Sequence, residues 1–262
     1  MSASLQRPAP SEFRARFTGG EIVTGTFIKT PAPQTIEILG DMGFDFVVID
    51  GEHAPFDRTS TGMGLLAARA AETAAIVRVP DATASTILSV LDDGATGVLV
   101  PHVSSVEAAE AIVAACRYRG GKRGFANTTR AGRYGGVGFW EHADAADSQV
   151  TVIAMIEDPE AIDNIDDIVA VDGIDGFFIG RGDLTAAFQA PGMDAPVVRE
   201  AAERVLKAAR AVGKTVCLMV SGKAEAEDFG SLGASAFIVS SDHGFMRQAA
   251  GKLLADMAEL KK

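Results

Sequence analysis

Residues 47–53 read Val-Val-Ile-Asp-Gly-Glu-His, an apolar run that ends in three ionisable residues, Asp50, Glu52 and His53. Such groups are costly to desolvate unless they are paired, protonated or bound to a metal. His53 precedes Ala54-Pro55 in a loop pattern. An imidazole ordinarily titrates close to neutral pH, which suits the abstraction of a proton. A core histidine satisfied by a backbone carbonyl is the plainer alternative. Arg78 lies within Ala-Ala-Ile-Val-Arg-Val-Pro, where a permanent charge requires a carboxylate partner or an anionic ligand. Structural pairing to Asp50 or Glu52 would satisfy it equally well. Glu157 and Asp183 each follow an apolar run. Two carboxylates facing one another at a buried rim repel unless a cation or proton lies between them. Oxygen-only ligation suits Mg²⁺ or Mn²⁺. The alternative is that Glu157 and Asp183 merely cap the helices that follow them.

These residues sit on a regular alternation of elements. Short apolar runs read as buried parallel strands at residues 22–28, 44–50, 74–79, 96–101, 150–157, 174–180, 214–220 and 235–241. Helical periodicity lies between them, as in Val106, Ala109, Val113 and Cys116, or Val198, Ala201, Val205, Ala208 and Val212. A third pattern, Met246, Ala249, Leu253, Met257 and Leu260, ends the chain. Asp57, Ser104 and Ser221 stand where N-caps are expected. Eight strands alternating with helices predict an α/β single-domain (β/α)8 TIM barrel spanning residues 21–262, preceded by an N-terminal arm or helix at 1–20. A doubly wound open sheet is the other candidate, but no G-x-G-x-x-G follows the first strand. Barrel active sites form at the C-terminal strand ends. The fold would therefore bring Asp50, Glu52, His53, Arg78, Glu157 and Asp183 to one rim. Residues 117–149 break the rhythm as a long Gly- and Arg-rich loop. Its cations Arg117, Arg119, Lys122, Arg123, Arg130 and Arg133 could meet an anionic substrate or a neighbouring subunit, or be solvated.

Composition narrows the class. The 262 residues are 47% hydrophobic and 6% aromatic, enough for a large aliphatic core. A net charge of −11 argues against a nucleic-acid surface, which relies on clustered Lys and Arg. Cys116 and Cys217 are far apart, each in an apolar pattern, and read as buried free thiols. No signal-peptide core and no run long enough to span a membrane is present, so a cytoplasmic location without membrane attachment is expected.

Several segments taken together carry a family resemblance: GFDFVVIDGEHAPFD, AAIVRVP, VLDDGATGVLVPHV, RYRGGKRG, MIEDPEAIDNID and VDGIDGFFIGRGDL. From about residue 20 onward they resemble the metal-dependent class II pyruvate aldolases of the HpcH/HpaI family. That family includes 4-hydroxy-2-oxoheptanedioate and 2-dehydro-3-deoxyglucarate aldolases. The resemblance implies a hexameric barrel that holds pyruvate on a divalent metal, Mg²⁺, Mn²⁺ or Co²⁺. It implies Glu157 and Asp183 as metal ligands, and His53 as proton acceptor with Asp92 raising its basicity. Arg78 would stabilise the enolate, and the Gly182 and Asp183 N–H groups would hold the pyruvate carboxylate. Asp50 would orient the base or meet the aldehyde hydroxyl. Two positions depart from the family pattern. Met155 stands where a glutamine is often found, and Arg181, where G-P-x-D-L has proline, adds a cation beside the metal loop that would change which substrate is accepted.

The expected chemistry makes or cleaves 4-hydroxy-2-oxo acids from a small keto acid, pyruvate or hydroxypyruvate, and an aldehyde. A Lewis acid polarises the C2 carbonyl, a base removes a methyl proton, and the enolate attacks the aldehyde. No Schiff base is needed, and no Lys is expected at a strand end. The alternatives are a hydroxyacyl-CoA lyase of the same barrel, a pyruvate-metal barrel with an unusual acceptor, and a non-catalytic keto-acid or metal binder.

Overall fold

The computed structural model describes residues 8–261; residues 1–7 of the expected arm lie outside them. Eight parallel strands close into a barrel in sequence order. They are β1 (Val23–Ile28), β2 (Phe46–Asp50), β3 (Ala74–Arg78), β4 (Gly97–Val100), β5 (Thr151–Ile156), β6 (Gly176–Ile179), β7 (Thr215–Val220) and β8 (Ala236–Ser241). Each falls within one of the eight apolar runs. The single-domain (β/α)8 expectation therefore holds.

The two-residue period of a strand divides the core in two. Outward residues such as Val47, Ile49, Val77, Val98, Val152, Phe177 and Leu218 pack against the helices. Inward residues Phe27, Phe46, Val48, Ile76, Leu99, Ile153, Met155, Phe178, Cys217 and Ile238 fill the barrel. Phe13 and Phe17 of helix Phe13–Thr18 join this inner cluster and close the end where the strands begin. Their fit is tight: a Cβ at Gly176 would lie 2.7 Å from the Phe17 ring. Counting two residues on from the inner layer places Lys29, Asp50, Arg78, Glu157 and Gly180 at the opposite mouth.

Helices form where the periodicity places them, including Val106–Cys116, Pro196–Ala211 and Asp242–Ala258. Asp57 caps as expected, accepting from the Ser60 N–H at 2.7 Å. The other two caps are displaced. Ser105, not Ser104, receives the Ala108 N–H. Gly222 rather than Ser221 precedes helix Lys223–Ser231, because the Ser221 N–H and hydroxyl both turn to the Glu225 carboxylate. The 117–149 connection is a loop only in part, since Phe139–Gln149 is a helix. Both cysteines are free and buried, and burial pushes the Cys116 thiol up to about 12. No helix among the described residues is long and apolar enough to cross a membrane.

Candidate active site

On the β2–β3 side of the mouth, Asp50 and Arg78 are paired directly across the two strands. Asp50 is fully buried and accepts four contacts. Arg78 supplies Nε at 2.9 Å and Nη2 at 2.7 Å, Lys29 supplies Nζ at 2.7 Å, and the His53 backbone N–H lies at 3.0 Å. Burial works to raise this carboxyl, but the two cations and the N–H outweigh it and hold it below its ordinary range. The remaining Nη1 of Arg78 reaches Glu52 at 3.2 Å, and the guanidinium lies over the Phe27 ring. The sequence left open whether Arg78 pairs with Asp50 or Glu52; it pairs with both. The His53 ring stands more than half exposed, with Nε2 3.8 Å from Glu52. It is a rim group rather than a core histidine.

The β5–β6 side has a different character. Glu157 is 2% exposed, and among the described residues no Lys or Arg pairs with it. Its Oε1 accepts the His102 N–H at 2.8 Å. Burial first, and then the nearby charge of Asp183, push the Glu157 carboxyl up to about 7, against the pull of that N–H. Glu157 does not cap the following helix; Asp158 holds the N-cap position. Asp183 is likewise inside helix Arg181–Ala187 rather than capping it, and it is exposed together with Gly182. Gly180 allows Glu157 its place, because a Cβ there would come within 2.6 Å of the Glu157 Cβ and 2.8 Å of Oε2.

Two residues of the mouth were missed by sequence reasoning. Lys29 follows β1 directly, contrary to the expectation that no strand end carries a Lys; strand parity counted from Phe27 would have found it. His102 follows β4 with a left-handed φ of 54°. Its Nδ1 lies 3.1 Å from Asp158 and 3.5 Å from Glu157. Burial acts to lower this imidazole, yet the surrounding carboxylates hold it above its ordinary range. The Pro-His that ends the fourth apolar run was the available signal.

The structure does not bring Asp92 to His53 within the chain. Asp92 ends helix Ala84–Asp92, near where β4 begins, and pairs with buried Arg123 at 3.2 Å. Burial pushes its carboxyl up despite Arg123. Several expected loop cations are also engaged: Arg117 with Asp175, Arg119 with Asp144, and Arg130 with the Gly62 and Asp93 carbonyls. Met155 points into the barrel core beneath Glu157.

The mouth thus carries an exposed imidazole on one side and the carboxylates of Glu157 and Asp183 on the other. A family model described as HpcH/HpaI aldolase/citrate lyase matches residues 24–249. The chain belongs to the HpcH/HpaI family. It is a carbon–carbon lyase of the aldolase type. A 5-keto-4-deoxy-D-glucarate aldolase of Enterobacter sp. (strain 638) is 36% identical over 246 residues, covering 93% of this chain and 95% of that one. Among solved structures, an HpcH/HpaI aldolase/citrate lyase family protein from Burkholderia cenocepacia superposes with a TM-score of 0.90 at 28% identity. The match covers 95% of this chain and 99% of the other. The citrate synthase SbnG gives a TM-score of 0.86 at 30% identity, with 95% and 98% covered.

The donor set of this HpcH/HpaI member fits a divalent metal. Glu157 and Asp183 offer oxygen only, and the cost of burying Glu157 without a cationic partner is what a cation would relieve. No cluster of three or more His, Cys, Asp or Glu residues forms a ready metal cage among the described residues. Two carboxylates leave positions for substrate and water, as Mg²⁺ sites commonly do.

Proposed function

We propose that this chain is a divalent-metal-dependent aldolase of the cytoplasm. It makes and cleaves 4-hydroxy-2-oxo acids through the enolate of pyruvate or hydroxypyruvate and an aldehyde. The observation that carries this reading is the buried, cation-poor Glu157 next to Asp183, across the mouth from His53 and Arg78. Glu157 and Asp183 would hold the metal, Mg²⁺, Mn²⁺ or Co²⁺, which when bound supplies Lewis-acid polarisation of the keto acid. The Gly182 and Asp183 N–H groups, in the first helical turn and without helical acceptors, are placed to bind the substrate carboxylate. His53 takes the methyl proton, and in the reverse direction the C4 hydroxyl proton. Arg78, locked by Asp50 and Glu52, presents a fixed positive charge to the enolate oxygen, where charge stabilisation acts most strongly. Asp50 holds both Arg78 and the His53 backbone in place.

For Asp92 to act on His53 it must come from a second copy. The apolar residues left exposed along the last helix, Met246, Leu253, Leu254 and Met257, support a homo-oligomer, a hexamer by resemblance. Sedimentation showing only monomer would remove both roles.

The test is deuterium exchange into the methyl group of pyruvate, followed by proton NMR without an aldehyde. Exchange should require Mn²⁺ or Mg²⁺ and stop with excess chelator; exchange that persists in chelator, or never occurs, overturns the mechanism. His53→Ala should lower exchange by about 10²–10⁴-fold while pyruvate still binds. The likeness to a citrate synthase favours a second reading, in which the same enolate adds to an acceptor other than an aldehyde. Product analysis with aldehyde and keto-acid acceptors in parallel separates the two.

A further inference from the structure

Arg181 was expected to add a cation beside the metal loop. The structure turns it elsewhere. Its side chain is 8% exposed, with Nη2 2.6 Å from Glu225 Oε1 and 2.8 Å from the Met219 carbonyl of β7. The guanidinium lies 4.9 Å from the centroid of the buried Phe229 ring, and Arg199 stacks on the same ring at 4.6 Å. Glu225 is itself fixed by the Ser221 N–H at 2.6 Å and the Ser221 hydroxyl at 2.8 Å. Ser221 is the first residue after β7, and Glu225 lies in the first turn of the next helix. One side chain thus ties the turn after β6 to the end of β7 and to the turn after it.

The turn that Arg181 fixes is the one that matters for the chemistry. Gly180, Arg181, Gly182 and Asp183 are consecutive. Gly180 leaves the room that Glu157 occupies, where a Cβ would clash, and Asp183 lies two residues beyond Arg181 in the same helical turn. Two of the four residues are glycine, the residue with the most backbone freedom to lose. A second tie runs from the Thr185 hydroxyl to the Arg181 carbonyl at 2.6 Å. With Asp183 exposed and making no ion pair among the described residues, the placement of its carboxylate depends on the backbone that carries it.

We propose that Arg181, through its buried pair with Glu225, is a positioning residue that sets Asp183 against Glu157 for cation binding. This rests on the aldolase reading above. It predicts a defined loss in a quantity that a merely structural ion pair would leave alone. Groups that orient metal ligands typically change metal affinity by about 10–100-fold when removed. Mn²⁺ binding to the full chain would be measured by electron paramagnetic resonance for wild type, Arg181→Met, Glu225→Gln and the double variant, far below their melting temperatures. Pyruvate exchange and thermal melting would be followed in parallel. The expected result is Mn²⁺ binding weakened about 10-fold or more in each single variant. The double variant should be no worse than either, because the pair acts as one unit. Mn²⁺ affinity within twofold of wild type in the folded single variants, with only the melting temperature lowered, overturns the proposal and leaves the aldolase reading intact. Wild type that neither binds Mn²⁺ nor exchanges pyruvate protons overturns both. Should Arg181→Met fail to fold, Glu225→Gln decides alone, since its amide oxygen can still accept from Ser221 while the acceptor facing Arg181 is lost.

Discussion

The two sides of the barrel mouth are built on opposite electrostatic principles. On the β2–β3 side the buried Asp50 is matched by Lys29 and Arg78, and Arg78 in turn by Glu52. On the β5–β6 side the buried Glu157 has an N–H and an exposed imidazole near it but no permanent cation, and a second carboxylate adds to the strain. The first side is charge-balanced within the chain, which fixes Arg78 and the His53 backbone in place. The second is left incomplete, and incompleteness is what makes a place for a ligand. One side is thus satisfied within the chain and holds its groups in place, and the other keeps a buried carboxylate without a permanent cation.

The sharpest way to break this contrast is Glu157→Gln. Removal of one of the two carboxylates proposed to hold the metal should lower pyruvate exchange by about 10³-fold or more, since such a cation would contribute several kcal/mol to the reaction. The metal-free chain should melt no earlier than wild type, because a strained acid has been replaced by a neutral isostere. A clear loss of metal-free stability would show that Glu157 is structural after all. On the other side, Arg78→Met should destabilise the fold itself. It leaves Asp50 buried with Lys29 alone, at a cost toward the lower end of the usual range for a broken buried pair, about 3 kcal/mol. Urea unfolding with an unchanged midpoint would refute that contribution to stability.

The smallest expected effect is a pH dependence of opposite sign on the two sides. Glu157 in the folded chain keeps its proton up to about 7, against an ordinary 4.5. Between those values the folded state holds the extra proton, so stability falls as pH rises through the window. Saturating Mn²⁺ or Glu157→Gln should flatten that slope. Asp50, held below its ordinary value, contributes stability that is present above 3.8 and lost as pH falls through its folded value. Melting curves taken across this range in wild type and Glu157→Gln separate the two contributions.

How much of this was legible in the sequence follows from what each feature depends on. The strands and the two layers of the core follow from short-range apolar patterns, and the same parity carried Asp50, Arg78 and Glu157 to the mouth. Lys29 obeys that parity too. It escaped notice because it stands beyond the last apolar residue of β1, where a surface lysine is the ordinary expectation. Position in the sequence puts the Arg181 charge beside Asp183, but says nothing of where its side chain turns. Its partner Glu225 lies 44 residues on, and only the closed sheet brings β6 and β7 side by side. The role expected of Asp92 came from the family resemblance alone, and nothing local in the sequence points to Arg123, its partner in the fold. The helix within 117–149 was hidden by weak amphipathicity: Phe139–Gln149 buries only His142 and Ala143.

The aromatic plug at the closed end has a consequence for biosynthesis. Phe13 and Phe17 leave the ribosome before any strand of the barrel, yet their seat is assembled from strands spread along the whole chain. The Thr215 hydroxyl that donates to the Phe17 carbonyl comes 198 residues later. A segment made before every strand is therefore among the last to dock. Until β7 has been synthesised it must wait with two large apolar rings uncovered, a natural handle for a chaperone and a point at which an unfinished barrel can be told from a finished one.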